Sequence, residues 1–108
     1  MAWMIKAGPQ IQEFIDGLSD DEQHKARWVL ERLQHYGLDI GKTSWAAYID
    51  DGLWELRVRW QRVWIRFFYF RSGANEFTIV HAYKKKSNRT PKKVRDYALK
   101  QMRQLKER

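Results

Sequence analysis

The 108 residues leave room for one domain with one modest core, and the absence of cysteine excludes disulfide stapling, a thiolate nucleophile and cysteine-ligated metal. The net charge of +8 is unevenly placed: Met1 to Asp51 carries five Lys/Arg against nine Asp/Glu, a balance of −4, and Gly52 to Arg108 carries sixteen against four, a balance of +12. So cationic a half attracts polyanions and releases their counterions, while the cysteine-free chain, with no signal-peptide-like opening and no run of membrane-span length, points to a cytoplasmic protein rather than an exported or membrane one.

Trp3 to Ala7 reads as a short edge strand. Gly8-Pro9 breaks it, and Pro9 suits the first turn of a helix that places Ile11, Phe14, Ile15 and Leu18 on one side. Ser19-Asp20-Asp21-Glu22 has the form of a capping box, followed by Ala26, Val29, Leu30 and Leu33 at helical spacing and by Gly37 as a left-handed stop. The expectation is an N-terminal helical hairpin. Leu38 to Asp51 lacks a clear period, and Asp51-Gly52 signals a turn.

From Leu53 to Trp60 the residues alternate, Trp54, Leu56, Val58 and Trp60 against Glu55, Arg57 and Arg59, as in a strand. Gln61-Arg62 fits a tight turn, Val63 to Phe70 a second strand, Ser72 to Asn75 another turn and Phe77 to Tyr83 a third strand. Lys84 to Arg89 reads as a basic loop. Thr90 is placed as N-cap and Pro91 as first residue of a basic amphipathic helix with Val94, Tyr97, Ala98, Met102 and Leu105 on its apolar side. The fold class expected is therefore α+β, a helical hairpin packed on a small, mainly antiparallel twisted sheet with a C-terminal basic helix.

His24, His35 and His81 are far apart, and the acidic residues of the basic half, Glu55, Glu76, Asp96 and Glu107, are scattered, so neither a metal site nor a cofactor motif is expected. RNA cleavage needs no metal, because the 2′-hydroxyl is the nucleophile and cationic side chains can stabilise the transition state. Arg66 stands in an apolar run, where an unpaired charge is costly; it should pair with a carboxylate such as Glu55 or line a polar cleft. Arg57 and Arg59 share the polar face of their strand. His81 is a core histidine or a proton shuttle, and Tyr83 shares its face. Trp54 and Trp60 read as core, whereas Trp64 and Phe68 share the face of Arg66 and are placed to stack.

These residues carry a resemblance. Asp51-Gly52-Leu53-Trp54-Glu55-Leu56-Arg57, Arg66 to Phe70, His81-Ala82-Tyr83, Lys85-Lys86 and Arg89-Thr90-Pro91 resemble the strings of the HigB-like, phage-derived branch of the RelE/ParE toxin superfamily, with Ile65, Ala82 and Arg89 departing from the usual pattern. The resemblance implies a metal-independent, ribosome-dependent mRNA endonuclease that is the toxin of a type II toxin–antitoxin system. Its partners would be mRNA on the ribosome and a helix-turn-helix antitoxin, with assembly as a homodimer or as a heterotetramer with the antitoxin. It also implies roles: Arg66 and Lys85 on the phosphorane, Arg57 and Lys86 positioning the RNA backbone, and Tyr83 or His81 in proton transfer or base stacking; Arg59, Lys84, Arg89, Lys92 and Lys93, on the same strand face, the basic loop and the basic helix, are expected as further RNA contacts. The same fold in non-catalytic relatives would bind nucleic acid or inhibit gyrase, which is the competing reading.

Overall fold

The computed structural model describes residues 2–107. In chain order it contains β1 (Met4–Ala7), α1 (Pro9–Asp16), α2 (Asp20–Tyr36), a 3-10 turn (Gly37–Lys42), β2 (Ala46–Asp50), β3 (Leu53–Trp60), β4 (Val63–Gly73), β5 (Glu76–Lys85) and α3 (Lys92–Lys106). The strands lie in the order β1-β5-β4-β3-β2. β2 to β5 form an antiparallel meander, and β1 pairs parallel to β5, so the sheet is mixed. Asp51 and Gly52, with φ of 54° and 91°, make the two-residue turn from β2 to β3; positive φ at both central positions matches the twist of the paired strands.

Each face of the sheet has its own core. On one, Leu56, Val58, Ile65, Phe67, Tyr69, Phe77 and Ile79 pack against Ile11 and Ile15 of α1 and against Ala26, Val29 and Leu33 of α2. On the other, Leu53, Phe68, Phe70 and Val80 pack against Ala98 and Met102 of α3. Burying a side chain of this size contributes roughly 1.5–3 kcal/mol relative to leaving it in water. Leu53 therefore belongs with the nominally polar side of β3, because α3 covers that end of it.

The expected N-terminal helical hairpin needs correction. The strand that comes first is the edge strand expected over Trp3 to Ala7, and behind it α1 and α2 are laid on the sheet over β5 and β3 respectively instead of standing as a paired unit. Their apolar stripes are more completely buried by a sheet than by each other. The region without a clear period contains the 3-10 turn and β2, whose five residues end in a register shift between Tyr48 and Asp50. Gly37 does have positive φ, 57°, but with ψ of −132° it turns the chain directly into the 3-10 segment.

Candidate nucleic-acid interface

Strand register sets the site. Three cross-strand rows run over β3, β4 and β5 on the face that carries α3: Glu55, Phe68 and His81; Arg57, Arg66 and Tyr83; Arg59, Trp64 and Lys85. A register shift at Val80 keeps His81 in phase with them, since Tyr69 pairs with Ile79 and Phe68 with His81. α3 packs on the end of this face nearest Leu53 and Phe70; Tyr83 of the middle row still packs against that core, and the row of Arg59, Trp64 and Lys85 lies beyond it.

Two buried carboxylates remove two of the expected cations from the interface. Glu55 accepts from Arg66 Nε at 3.3 Å through one oxygen and from Thr90 Oγ1 at 2.8 Å through the other. Arg66 Nη1 also donates to the carbonyl of Ser87 at 3.3 Å. With 1% of its surface exposed, Arg66 is thus a neutralised strut that pins the Ser87–Thr90 segment to the sheet, and the expected contact with a phosphorane is not open to it in this arrangement. The cause is its apolar strand, where a lone guanidinium is too costly to bury. Thr90 correspondingly does not cap the last helix; Pro91 is its N-cap, and the threonine hydroxyl is spent on Glu55.

Glu22 plays the same part on the opposite face. Its Oε1 accepts from the Ser19 amide at 2.9 Å, its own amide donates to Ser19 Oγ at 3.3 Å, and the same Oε1 receives Lys84 Nζ at 2.9 Å. The capping box is real and is also a lysine anchor. The hydrogen bond from Lys84, followed by that from the Ser19 backbone, holds the Glu22 carboxyl below its ordinary range. Lys84, expected among the RNA contacts, therefore faces away from them: β5 continues to Lys85, and strand alternation sends neighbouring lysines to opposite faces.

What stays at the open rim is cationic and uncompensated. Arg57 is half-buried with Nε donating to the Ser44 carbonyl at 3.1 Å, and Arg59 is exposed with Nε donating to the Gln61 carbonyl at 2.8 Å. Backbone tethers orient these guanidinium groups without neutralising them. Lys85, Lys86, Arg89 and Lys93 are exposed and, among the described residues, make no salt bridge, whereas Lys92 pairs with Asp96 at 3.4 Å. Trp64 stands between Arg59 and Lys85 in its row, with the Arg59 and Arg66 guanidinium carbons 5.7 and 5.5 Å from its ring centroid.

Tyr83 is half-buried beside Arg66 in the middle row. His81 is likewise half-buried, its ring 6.0 Å from that of Phe68 and 4.7 Å from that of Tyr97 on α3, and burial pushes the imidazole below its ordinary value, which favours the neutral form. A neutral ring packed between two aromatics belongs to the α3 interface, with Tyr83 the nearer of the pair to the open rows.

Beside Trp64 a groove of about 510 Å³ wraps round the edge of β3 and is lined by Arg57, Val58, Arg59, Trp64 and Asn88 and, from outside the meander, by Lys25, Trp28, Ser44 and Trp45. It opens there because β2 pairs only as far as Leu56, with one further bond from the Arg57 amide to the Trp45 carbonyl at 2.8 Å. Lys25, Trp28 and Trp45 escaped the sequence reading; a lysine and a tryptophan one turn apart on α2 were the available signal. Trp60, expected in the core, is half-buried with Lys25 Nζ 5.6 Å from its ring.

Among solved structures the chain is similar to an archaeal RelE–RelB complex from Pyrococcus horikoshii OT3, with a TM-score of 0.57 and 12% identity over 82% of this chain and all of that one. At that identity the likeness is one of fold. No curated protein matches the sequence. The model of the family described as phage derived protein Gp49-like matches residues 13–103, which takes in both carboxylate anchors, all three rows and most of α3, and the chain belongs to that family.

Proposed function

We propose that this protein is a HigB-like toxin of a type II toxin–antitoxin pair and acts as a metal-independent endoribonuclease on mRNA bound to the ribosome. The observation that carries the reading is the set of cations without a salt bridge among the described residues, Arg57, Arg59 and Lys85 on the strand rows that hold Trp64 and Lys86 and Arg89 in the loop beyond β5, on a sheet whose other expected cations are neutralised by Glu22 and Glu55. In the cleavage step the 2′-oxygen attacks phosphorus, the bond from phosphorus to the 5′-oxygen breaks, and a 2′,3′-cyclic phosphate and a 5′-hydroxyl result. Lys85 and Arg59, on either side of Trp64 in one row, offset the charge that builds on the phosphoryl oxygens, and Arg57 with Lys86, Arg89 and Lys93 positions the strand. Tyr83 is the group nearest these rows able to assist proton transfer, and Arg66 holds the loop that presents Lys86 and Arg89.

The RelE of the similar structure is bound to RelB, and a separately encoded antitoxin covering the cationic rim is the corresponding partner proposed here. Inducible expression tests the reading. Growth arrest with fragmented translated mRNA, lost in a folded Lys85→Ala variant, is expected; intact mRNA on expression of the unaltered chain contradicts it.

A further inference from the structure

The groove extends beyond the residues that cleavage uses. Round the edge of β3, Trp28 and Trp45 stand at 88° with ring centroids 5.2 Å apart, so the two indoles form a right-angled corner. Lys25 Nζ lies 6.0 Å from the Trp28 ring, and Arg57 is tied to Ser44 immediately before Trp45. Among the described residues no carboxylate lines the groove, and Lys25, Arg57 and Arg59 make no salt bridge. Aromatic faces interleaved with uncompensated cations fit single-stranded nucleic acid, in which each nucleotide offers a stackable base and an anionic phosphate. An acidic peptide would satisfy the cations and leave the indole corner without a matching group.

We propose that the Trp28–Trp45 corner is a base-stacking subsite for a nucleotide of single-stranded RNA that flanks the cleaved linkage, with Lys25 and Arg57 on the phosphate between the two. The flanking position rests on the ribonuclease reading above; the binding of a base does not. A corner of this kind reads the π-face of a base more than its hydrogen-bonding edge, so purines hold better than pyrimidines.

The test is fluorescence polarisation at one fixed salt concentration with two labelled probes, a single-stranded hexaribonucleotide and an abasic strand of equal length and charge. The unaltered protein should bind the base-bearing strand roughly tenfold more tightly, the effect of about one stacked base. Trp28 is 37% exposed, so Trp28→Ala spares the core; it should remove most of that preference, and Trp28→Phe should restore part of it. Lys85→Ala should weaken both probes by a similar factor. Equal affinity of the unaltered protein for the two strands, tighter binding of an acidic peptide of equal charge, or a base preference that survives both Trp28→Ala and Trp45→Ala overturns the subsite. A base preference lost in Trp28→Ala in a protein that leaves translated mRNA whole sinks the nuclease and keeps the subsite. Fragmented mRNA with a preference indifferent to both tryptophans does the reverse.

Discussion

Arg57 and Arg66 face each other across β3 and β4 on the same side of the sheet, yet one is half-buried and tethered only through Nε to a backbone carbonyl, whereas the other is 1% exposed and locked to Glu55. Lys84 and Lys85 repeat the contrast along β5, the first anchored to Glu22 and the second free in solvent. In each pair the residues are adjacent in the fold and alike in chemistry; a carboxylate decides which one builds the molecule and which one is left to meet a polyanion. Net charge alone does not distinguish them.

The contrast is broken most severely at its buried centre. Glu55→Ala leaves the Arg66 guanidinium without its partner and frees Thr90, and a loss of about 3–5 kcal/mol is expected in urea unfolding, the range for breaking a buried pair. A loss under about 1 kcal/mol would show that Arg66 is not held as described. At the rim the effect should fall on activity instead. Lys85→Ala should cost on the order of tenfold or more in mRNA cleavage while shifting stability by no more than about 0.5 kcal/mol, because this exposed lysine makes no salt bridge among the described residues.

How much of this was readable in the chain differs by residue. The capping box, the Asp51-Gly52 turn and the three strands of the basic half were legible because each is a local pattern, and the pairing of Arg66 with Glu55 is one of the two outcomes, a carboxylate or a polar cleft, that the cost of an unpaired charge in an apolar strand allowed. β2 was hidden by its shortness and its register shift, and the parallel docking of β1 on β5 joins segments about seventy residues apart, beyond any local signal. Thr90 was misplaced because a Thr-Pro pair looks like a helix start whether or not its hydroxyl is claimed by a glutamate on a distant strand. The orientation of Lys84 was available from strand alternation, had β5 been extended two residues.

Smaller effects sharpen the same comparison. His81, held neutral by burial, and Glu22, held charged by Lys84, both have folded pKa values below their unfolded ones, so each contributes stability that is present at high pH and lost on acidification. Loss should begin as pH falls through 6.5, where the unfolded histidine takes up its proton ahead of the folded one, and a second loss should begin near 4.5 for Glu22. Urea unfolding as a function of pH checks this: His81→Phe should remove the first component and leave the second, and flat stability between pH 7 and 5 would contradict the placement of the imidazole. Lys84→Ala is expected to cost about 1 kcal/mol or less, since its side chain is partly exposed, and to leave RNA binding unchanged.

Lysine neighbours on β5 supply the most direct test of the central claim, that a cation acts on RNA here only where no carboxylate neutralises it. Lys84→Ala and Lys85→Ala are compared in cells expressing each variant, with the fate of translated mRNA as the readout and thermal unfolding as the check on folding. Fragmented mRNA is expected from the unaltered protein and from Lys84→Ala, and on the order of tenfold less fragmentation, or none, from Lys85→Ala. Equal loss of cleavage in both variants, or full cleavage by a folded Lys85→Ala, would contradict it.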